Sequence, residues 1–161
     1  MRQAEAPIVV KERPGAAKGT SKKSSKSEAR ASIEVTVKDG GKRKKLGKRG
    51  EEIACMYLTD NGADIVERNW SCHAGEADII AWEGEDLAFI EVKTRSSYNA
   101  GFPEDAVTRQ KRIKYEKIAL QYLAARSLPS SRVRFDVIAV VMTGEMQALV
   151  RHHRDAYCAG E

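Results

Sequence analysis

"GEADIIAWEGEDLAFIEVKTR", residues 75–95, sets two apolar runs on either side of Glu83-Gly84-Glu85-Asp86. Strand-forming residues flanking a short Gly-containing turn predict a β-hairpin with Gly84 and Glu85 at its tip. Trp82 then opposes Leu87, Ile80 opposes Phe89, Asp78 opposes Glu91, and Glu76 opposes Lys93. Side chains alternate along a strand, so all of these share one side. The other side is Ala77, Ile79, Ala81, Ala88, Ile90 and Val92, which is wholly apolar. A hairpin apolar on both sides is expected at the centre of a sheet, under helices.

The charges gather at one end of one side. As a regular cross-strand pair, Asp78 and Glu91 would have Cβ atoms roughly 5 Å apart. Carboxylates that close repel, and one takes up a proton unless a cation sits between them. A hard divalent ion such as Mg²⁺ takes oxygen ligands, often one or two carboxylates plus substrate phosphate. Lys93, two residues past Glu91, points the same way and could contact a scissile phosphate or an attacking water. Two carboxylates with a neighbouring lysine make a compact device for metal-assisted phosphodiester hydrolysis. The same residues also read as an ordinary Glu76–Lys93 ion pair beside a wet sheet edge.

Outward from the hairpin, "GKRGEEIACMYLTDNG" predicts a helix closed by a Gly62 C-cap. From Glu51, the positions three, four and seven residues on are Ala54, Cys55 and Leu58, a core-facing stripe that Glu51 begins. Glu51 at a helix start is either a third carboxylate at the site or simple dipole compensation. Glu52 faces elsewhere. "ADIVERNW" predicts a short strand and "EDAVTRQKRIKYEKIALQYLAAR" a long helix. "RVRFDVIAVVM" predicts a near-continuous apolar strand, and "MQALVRH" a final one. The order α-β-β-β-α-β-β implies an α/β fold, a mixed sheet of about five strands flanked by helices.

The chain has 161 residues, enough for one domain with a segment to spare. Residues 1–49 hold 15 Lys/Arg against 5 Asp/Glu, and residues 50–161 hold 13 against 18. Residues 1–45, rich in Lys, Ser, Ala and Gly, read as a disordered basic tail, with KRKKLGKR as its basic junction. Residues 46–157 read as the folded α/β domain. A basic tail on an acidic domain suits an acidic partner such as nucleic acid, and suits a solubilising tail as well. No apolar run approaches the roughly 20 residues of a membrane span, so no membrane insertion is expected. MRQAEAPIVVKERPG lacks the pattern of a secretory signal. Three scattered cysteines, Cys55, Cys72 and Cys158, fit a reducing, cytoplasmic setting. Cys72-His73 has no second pair at zinc-like spacing. His152 and His153, adjacent on a strand, read as surface residues.

Taken in order, "GKRGEEIACMYL", "NG", "ERNW", "GEADII", "FIEVKTRS", "AVTRQKRI" and "RFDVIAV" resemble the YraN family of bacterial proteins, over about residues 46–150. That family is similar to the Holliday-junction-resolvase branch of the PD-(D/E)xK nucleases. The resemblance implies a restriction-endonuclease-like core, Mg²⁺ (or Mn²⁺) as cofactor, and DNA, branched DNA included, as substrate. It also implies roles. Glu51 is the helix acid, Asp78 the metal-binding aspartate, Glu91 and Lys93 the ExK pair, and Glu76 an auxiliary acid. Asp78, Glu91 and Glu51 would be the metal set. Ala77 stands where the family usually has isoleucine, and the literal Pro-Asp is absent. Junction resolvases act as dimers because two symmetric nicks need two sites, so a homodimer is compatible with the resemblance. A non-catalytic DNA-binding or adaptor protein that keeps the fold is the competing reading.

DNA contacts are expected from Arg95, just past the second hairpin strand, and from Arg109, Lys111, Arg112 and Lys114 in TRQKRIKYEK. The alternative there is a solvated helix face. Tyr98 and Phe102 are candidates for stacking on an exposed base.

Overall fold

The computed structural model describes residues 8–11, 39–96, 108–128 and 130–156. Tyr98 and Phe102, the AGFP break and Cys158 lie outside them. The hairpin forms the middle of the fold. Strand β3 (Gly75–Glu83) and strand β4 (Asp86–Arg95) pair antiparallel, with Ile80 opposite Phe89 and Trp82 opposite Leu87. Strand β2 (Asp64–Cys72) pairs antiparallel with β3. On the other side β5 (Arg132–Met142) runs parallel to β4, and β6 (Gln147–His153) runs antiparallel to β5. The expected mixed sheet and the order α-β-β-β-α-β-β are both present.

Helix α1 (Asp39–Asp60) covers one side of the sheet and α2 (Arg109–Arg126) the other. Under α1, Ile53, Ala54, Tyr57 and Leu58 pack on Ile79, Ala81, Ala88, Ile90, Ile138 and Val140. Under α2, Tyr115, Ile118, Ala119 and Tyr122 pack on Ile80, Leu87, Phe89 and Phe135. Tyr122 meets both Trp70 and Phe89 edge to face, at centroid distances of 5.1 and 5.5 Å. Such contacts add to the area buried by the rings. Gly62, with φ of +85°, closes α1 as expected, and the Ala63 N–H donates back to the Leu58 carbonyl at 2.9 Å.

The 1–45 boundary does not hold as read. Ile8–Lys11 forms an additional strand, β1, that pairs antiparallel with β6 and makes six strands in the order β1-β6-β5-β4-β3-β2. A run of three β-branched residues beside an open strand edge is enough to pair. Helix α1 begins at Asp39, so all of KRKKLGKR and the DGGK end of SIEVTVKDGGK are helical. Helix growth is cooperative once a turn is anchored, and lysine and arginine are good helix formers. The anchor is Leu46, which packs into the α1 core.

Candidate functional site

Asp78 sits where the pleat of β3 is broken. Backbone pairing between β3 and β4 runs from Glu83/Asp86 as far as Ile79/Ile90. On the other side, pairing with β2 passes from Arg68/Ile79 to Trp70/Ala77, and the intervening Asn69 has φ of +52°. Asparagine is one of the few residues that enter this left-handed region readily. The packing shows the same break. Ala77 lies in the α2 core with Ile80, whereas Ile79 lies in the α1 core. Strict alternation had put Ala77 and Ile79 together, so that part of the expected hairpin geometry is corrected.

Released from the pleat, the Asp78 carboxylate takes the place of a backbone acceptor. Its Oδ2 receives the Val92 N–H at 2.7 Å. Asp78 thereby reaches β4 between Glu91 and Lys93. Its carboxyl is raised from 3.8 to about 6: burial raises it most, the Val92 N–H opposes that, and the charges of Glu51, Glu91 and Glu76 add to the rise. The charges that raise Asp78 thus belong to acids the sequence singled out. The Asp78–Glu91 relation is a bond to the neighbouring amide rather than a regular cross-strand pair.

Lys93 forms its ion pair with Glu91, two residues away on the same strand. The alternative partner suggested by the sequence, Glu76, is an exposed residue near the start of β3. Glu51 stands three turns inside α1, because the helix begins at Asp39. Dipole compensation acts in the first turn, so it does not explain Glu51. The buried stripe of α1 is Gly50, Ile53, Ala54, Tyr57 and Leu58. Glu51 flanks that stripe rather than beginning it. Gly50 lets the helix come close to the sheet. A Cβ built there would overlap the Thr94 hydroxyl and lie 2.8 Å from Thr94 Cβ and Cγ2. That close approach brings the next residue, Glu51, within electrostatic reach of Asp78.

Among the described residues, no three His, Cys, Asp or Glu side chains group as a ready-made metal cage. The acids whose charges act on Asp78 are Glu51, Glu91 and Glu76, in decreasing order. Of the expected DNA contacts, Arg109 and Lys114 are exposed near the start of α2, and Arg95, Lys111 and Arg112 are half-buried. Thr108 caps α2, its hydroxyl accepting the Lys111 N–H at 3.3 Å. The first turn of α2 holds no acid.

The sequence reading missed a second charged group altogether. Asp136, fully buried in β5, accepts His152 Nε2 at 2.8 Å, Arg134 Nε at 2.9 Å and the Asp155 N–H at 2.8 Å. Arg134 also reaches Glu83 at 2.5 Å and Asp86 at 3.4 Å, and Arg154 reaches Glu83 at 3.2 Å. His152 is buried against Tyr57, not a surface residue as expected. A signal existed: Asp136 interrupts an apolar run, with Arg132 and Arg134 at alternate positions on its own side.

The sequence of the Uncharacterised protein family UPF0102 matches residues 50–140. The chain is 44% identical over 112 residues to a UPF0102 protein of Rhodococcus opacus, covering 70% of this chain and 95% of that one. A UPF0102 protein of Nocardia farcinica is 43% identical over 112 residues, with 70% and 88% covered. One from Geotalea uraniireducens is 40% identical over 119 residues, with 74% and 94% covered. The chain belongs to the UPF0102 family. This is the YraN family whose motifs the sequence carries. The match begins at Gly50 and spans Glu51, Asp78, Glu91, Lys93 and Asp136. It leaves out β1 and the basic first half of α1. No helix among the described residues is long and apolar enough to cross a membrane.

Proposed function

We propose that this UPF0102 protein is a metal-dependent endonuclease that hydrolyses DNA phosphodiester bonds, branched and junction DNA among its substrates. The observation that supports this most is Asp78. It is a half-buried acid fixed to the Val92 amide and raised by the charges of Glu51, Glu76 and Glu91, the last of them paired with Lys93. A sheet that served only as scaffold would gain nothing from setting a half-buried carboxylate among other acids. The donor set is all oxygen, which suits Mg²⁺ or Mn²⁺. Asp78 and Glu91 would hold the ion, with Glu51 reaching it directly or through water. Two carboxylates leave the remaining positions to water and phosphate oxygens. Bound there, the ion supplies charge neutralisation at the phosphate and a more acidic water.

The chain's own residues do the rest. The Val92 N–H holds Asp78 Oδ2 in one orientation, so the carboxylate need not reorganise. Lys93 Nζ, once drawn from Glu91 by a phosphate, donates to the non-bridging oxygens as negative charge grows on them. Arg95 and the start of α2 would hold the DNA backbone, and a homodimer would place two such sites on one junction.

One observation favours the non-catalytic DNA-binding or adaptor reading. Glu91 already has a cation, Lys93, so an ammonium rather than a metal partly balances the acids. The two readings separate on a panel of duplex, single-stranded and four-way-junction DNA with Mg²⁺ or Mn²⁺. The nuclease cuts at least one substrate, and Asp78→Ala abolishes cutting while sparing binding. Binding without cutting under either metal would decide for the adaptor.

A further inference from the structure

We infer that the first half of α1 is one jaw of a two-sided phosphate clamp, and that the start of α2 is the other, with duplex DNA seated at the sheet end between them. This deepens the nuclease reading and rests on it only for the identity of the polyanion. The charge of α1 divides at Gly50. Residues 39–50 carry six Lys/Arg and one Asp, a net of +5, whereas residues 51–60 carry Glu51, Glu52 and Asp60 and no cation, a net of −3. Leu46 and Gly50, one turn apart, face the sheet. Lys42 is one turn before Leu46 and so lies in the same stripe, yet it is exposed. The helix has therefore run past the end of the sheet. Lys44, Lys45 and Lys48 are exposed as well, round the rest of this overhang.

Two contacts fix where the overhang lies. Gly50 rests on Thr94, near the end of β4, and the Lys114 side chain lies across Gly75, where β3 begins. Both mark the same end of the sheet. The helices cover opposite sides of it, so the two basic segments flank that end from both sides. Asp78 and the Glu91–Lys93 pair lie between them. An acidic centre repels phosphate, and cations on both flanks offset that repulsion while leaving the centre acidic. The overhang continues the same helix as Glu51, so phosphate held by its lysines would be in fixed register with the site. Most of it precedes residues 50–140, the stretch that matches the family as a whole.

The test replaces Lys42, Lys44, Lys45 and Lys48 together by glutamine, a comparable helix former. Anisotropy of a labelled DNA duplex is read in EDTA, where cutting does not intervene, from low to moderate salt. Each phosphate contact adds about 0.9 to the slope of log affinity against log salt. The variant should bind at least about tenfold more weakly, with the slope reduced by about two to three. The four-arginine variant should bind like wild type, and helicity by circular dichroism should match in all three. An unchanged affinity and slope in the glutamine variant, or no DNA binding by wild type, overturns the clamp. So does a loss of binding to phosphatidylglycerol vesicles with DNA binding intact. A wild type that binds through these lysines but never cuts would remove the nuclease reading and leave the clamp standing.

Discussion

Two charged groups occupy the β3–β4 hairpin, and they follow opposite rules. Asp78 and Glu83 are five residues apart on β3, about 17 Å along the strand. At the Glu83 end each of these acids faces a cation: Glu83 meets Arg134 and Arg154, Asp86 meets Arg132 and Arg134, and the buried Asp136 meets Arg134 and His152. At the Asp78 end a half-buried acid feels the charges of three further acids, and Lys93 is already paired with one of them, Glu91. Burial alone would raise both aspartates. Hydrogen bonds from His152, Arg134 and the Asp155 N–H pull Asp136 below the usual carboxylate range, whereas Asp78 stays raised at about 6. A group whose charges are matched fixes structure. One that gathers like charges stores a cost that a bound cation can relieve. The difference teaches which end of one hairpin is built for stability and which for binding.

The largest expected effect comes from breaking the matched end. Asp136→Ala would leave His152 buried without its acceptor and Arg134 with Glu83 and Asp86 alone, a loss of about 3 kcal/mol. The pH sign follows from the lowered carboxyl. Stability from Asp136 is present above its unfolded pKa and is lost as pH falls through the folded one. Urea unfolding at pH 7 checks the loss. Its disappearance in acid, where wild type has already lost the same contribution, checks the sign. A midpoint within experimental error of wild type at pH 7 would erase the contrast between the two ends.

The opposite sign is expected at the other end. A carboxyl raised from 3.8 to about 6 contributes stability below its unfolded pKa, lost as pH rises through about 6. At pH 8 the ionised Asp78 thus costs the fold about 3 kcal/mol. Asp78→Asn keeps an oxygen for the Val92 N–H and removes the charge. In EDTA it should be more stable than wild type at pH 8 by up to that amount, and equal to it near pH 4. Thermal melts at the two pH values read this directly. A variant less stable than wild type at pH 8 would show that Asp78 is an ordinary structural carboxylate.

Much of this was legible in the sequence. The tip at Gly84-Glu85 fixed the hairpin register, because a one-residue slip would have moved every apolar side chain to the wrong side. The span of β5 followed from its unbroken apolar run. What pattern could not show was the break at Asp78, since alternation is a rule about regular strands and Asn69 carries the irregularity on the neighbouring one. Helix α1 was read eight residues short because Gly40, Gly41 and Gly47 punctuate a lysine run, and no local signal says that Leu46 is anchored. Asp136 and His152 lie on different strands. Their pairing is a tertiary fact, legible only once β5 and β6 lie side by side.

The smallest effect sharpens the comparison most, because it tests the acid ring contact by contact. Glu51 pushes Asp78 harder than Glu76 does, since α1 is held against β4 at Gly50 and Thr94 whereas Glu76 is exposed to water that screens its charge. Glu51→Gln should therefore lower the Asp78 pKa by more than Glu76→Gln does, read by carboxyl NMR titration without metal. Glu91→Gln is a poorer probe, because removing the Glu91 charge also removes the partner of Lys93 and so changes two charges at once. If Glu76→Gln moved Asp78 further than Glu51→Gln, the glycine-mediated approach of α1 would not be what brings the helix acid to the site.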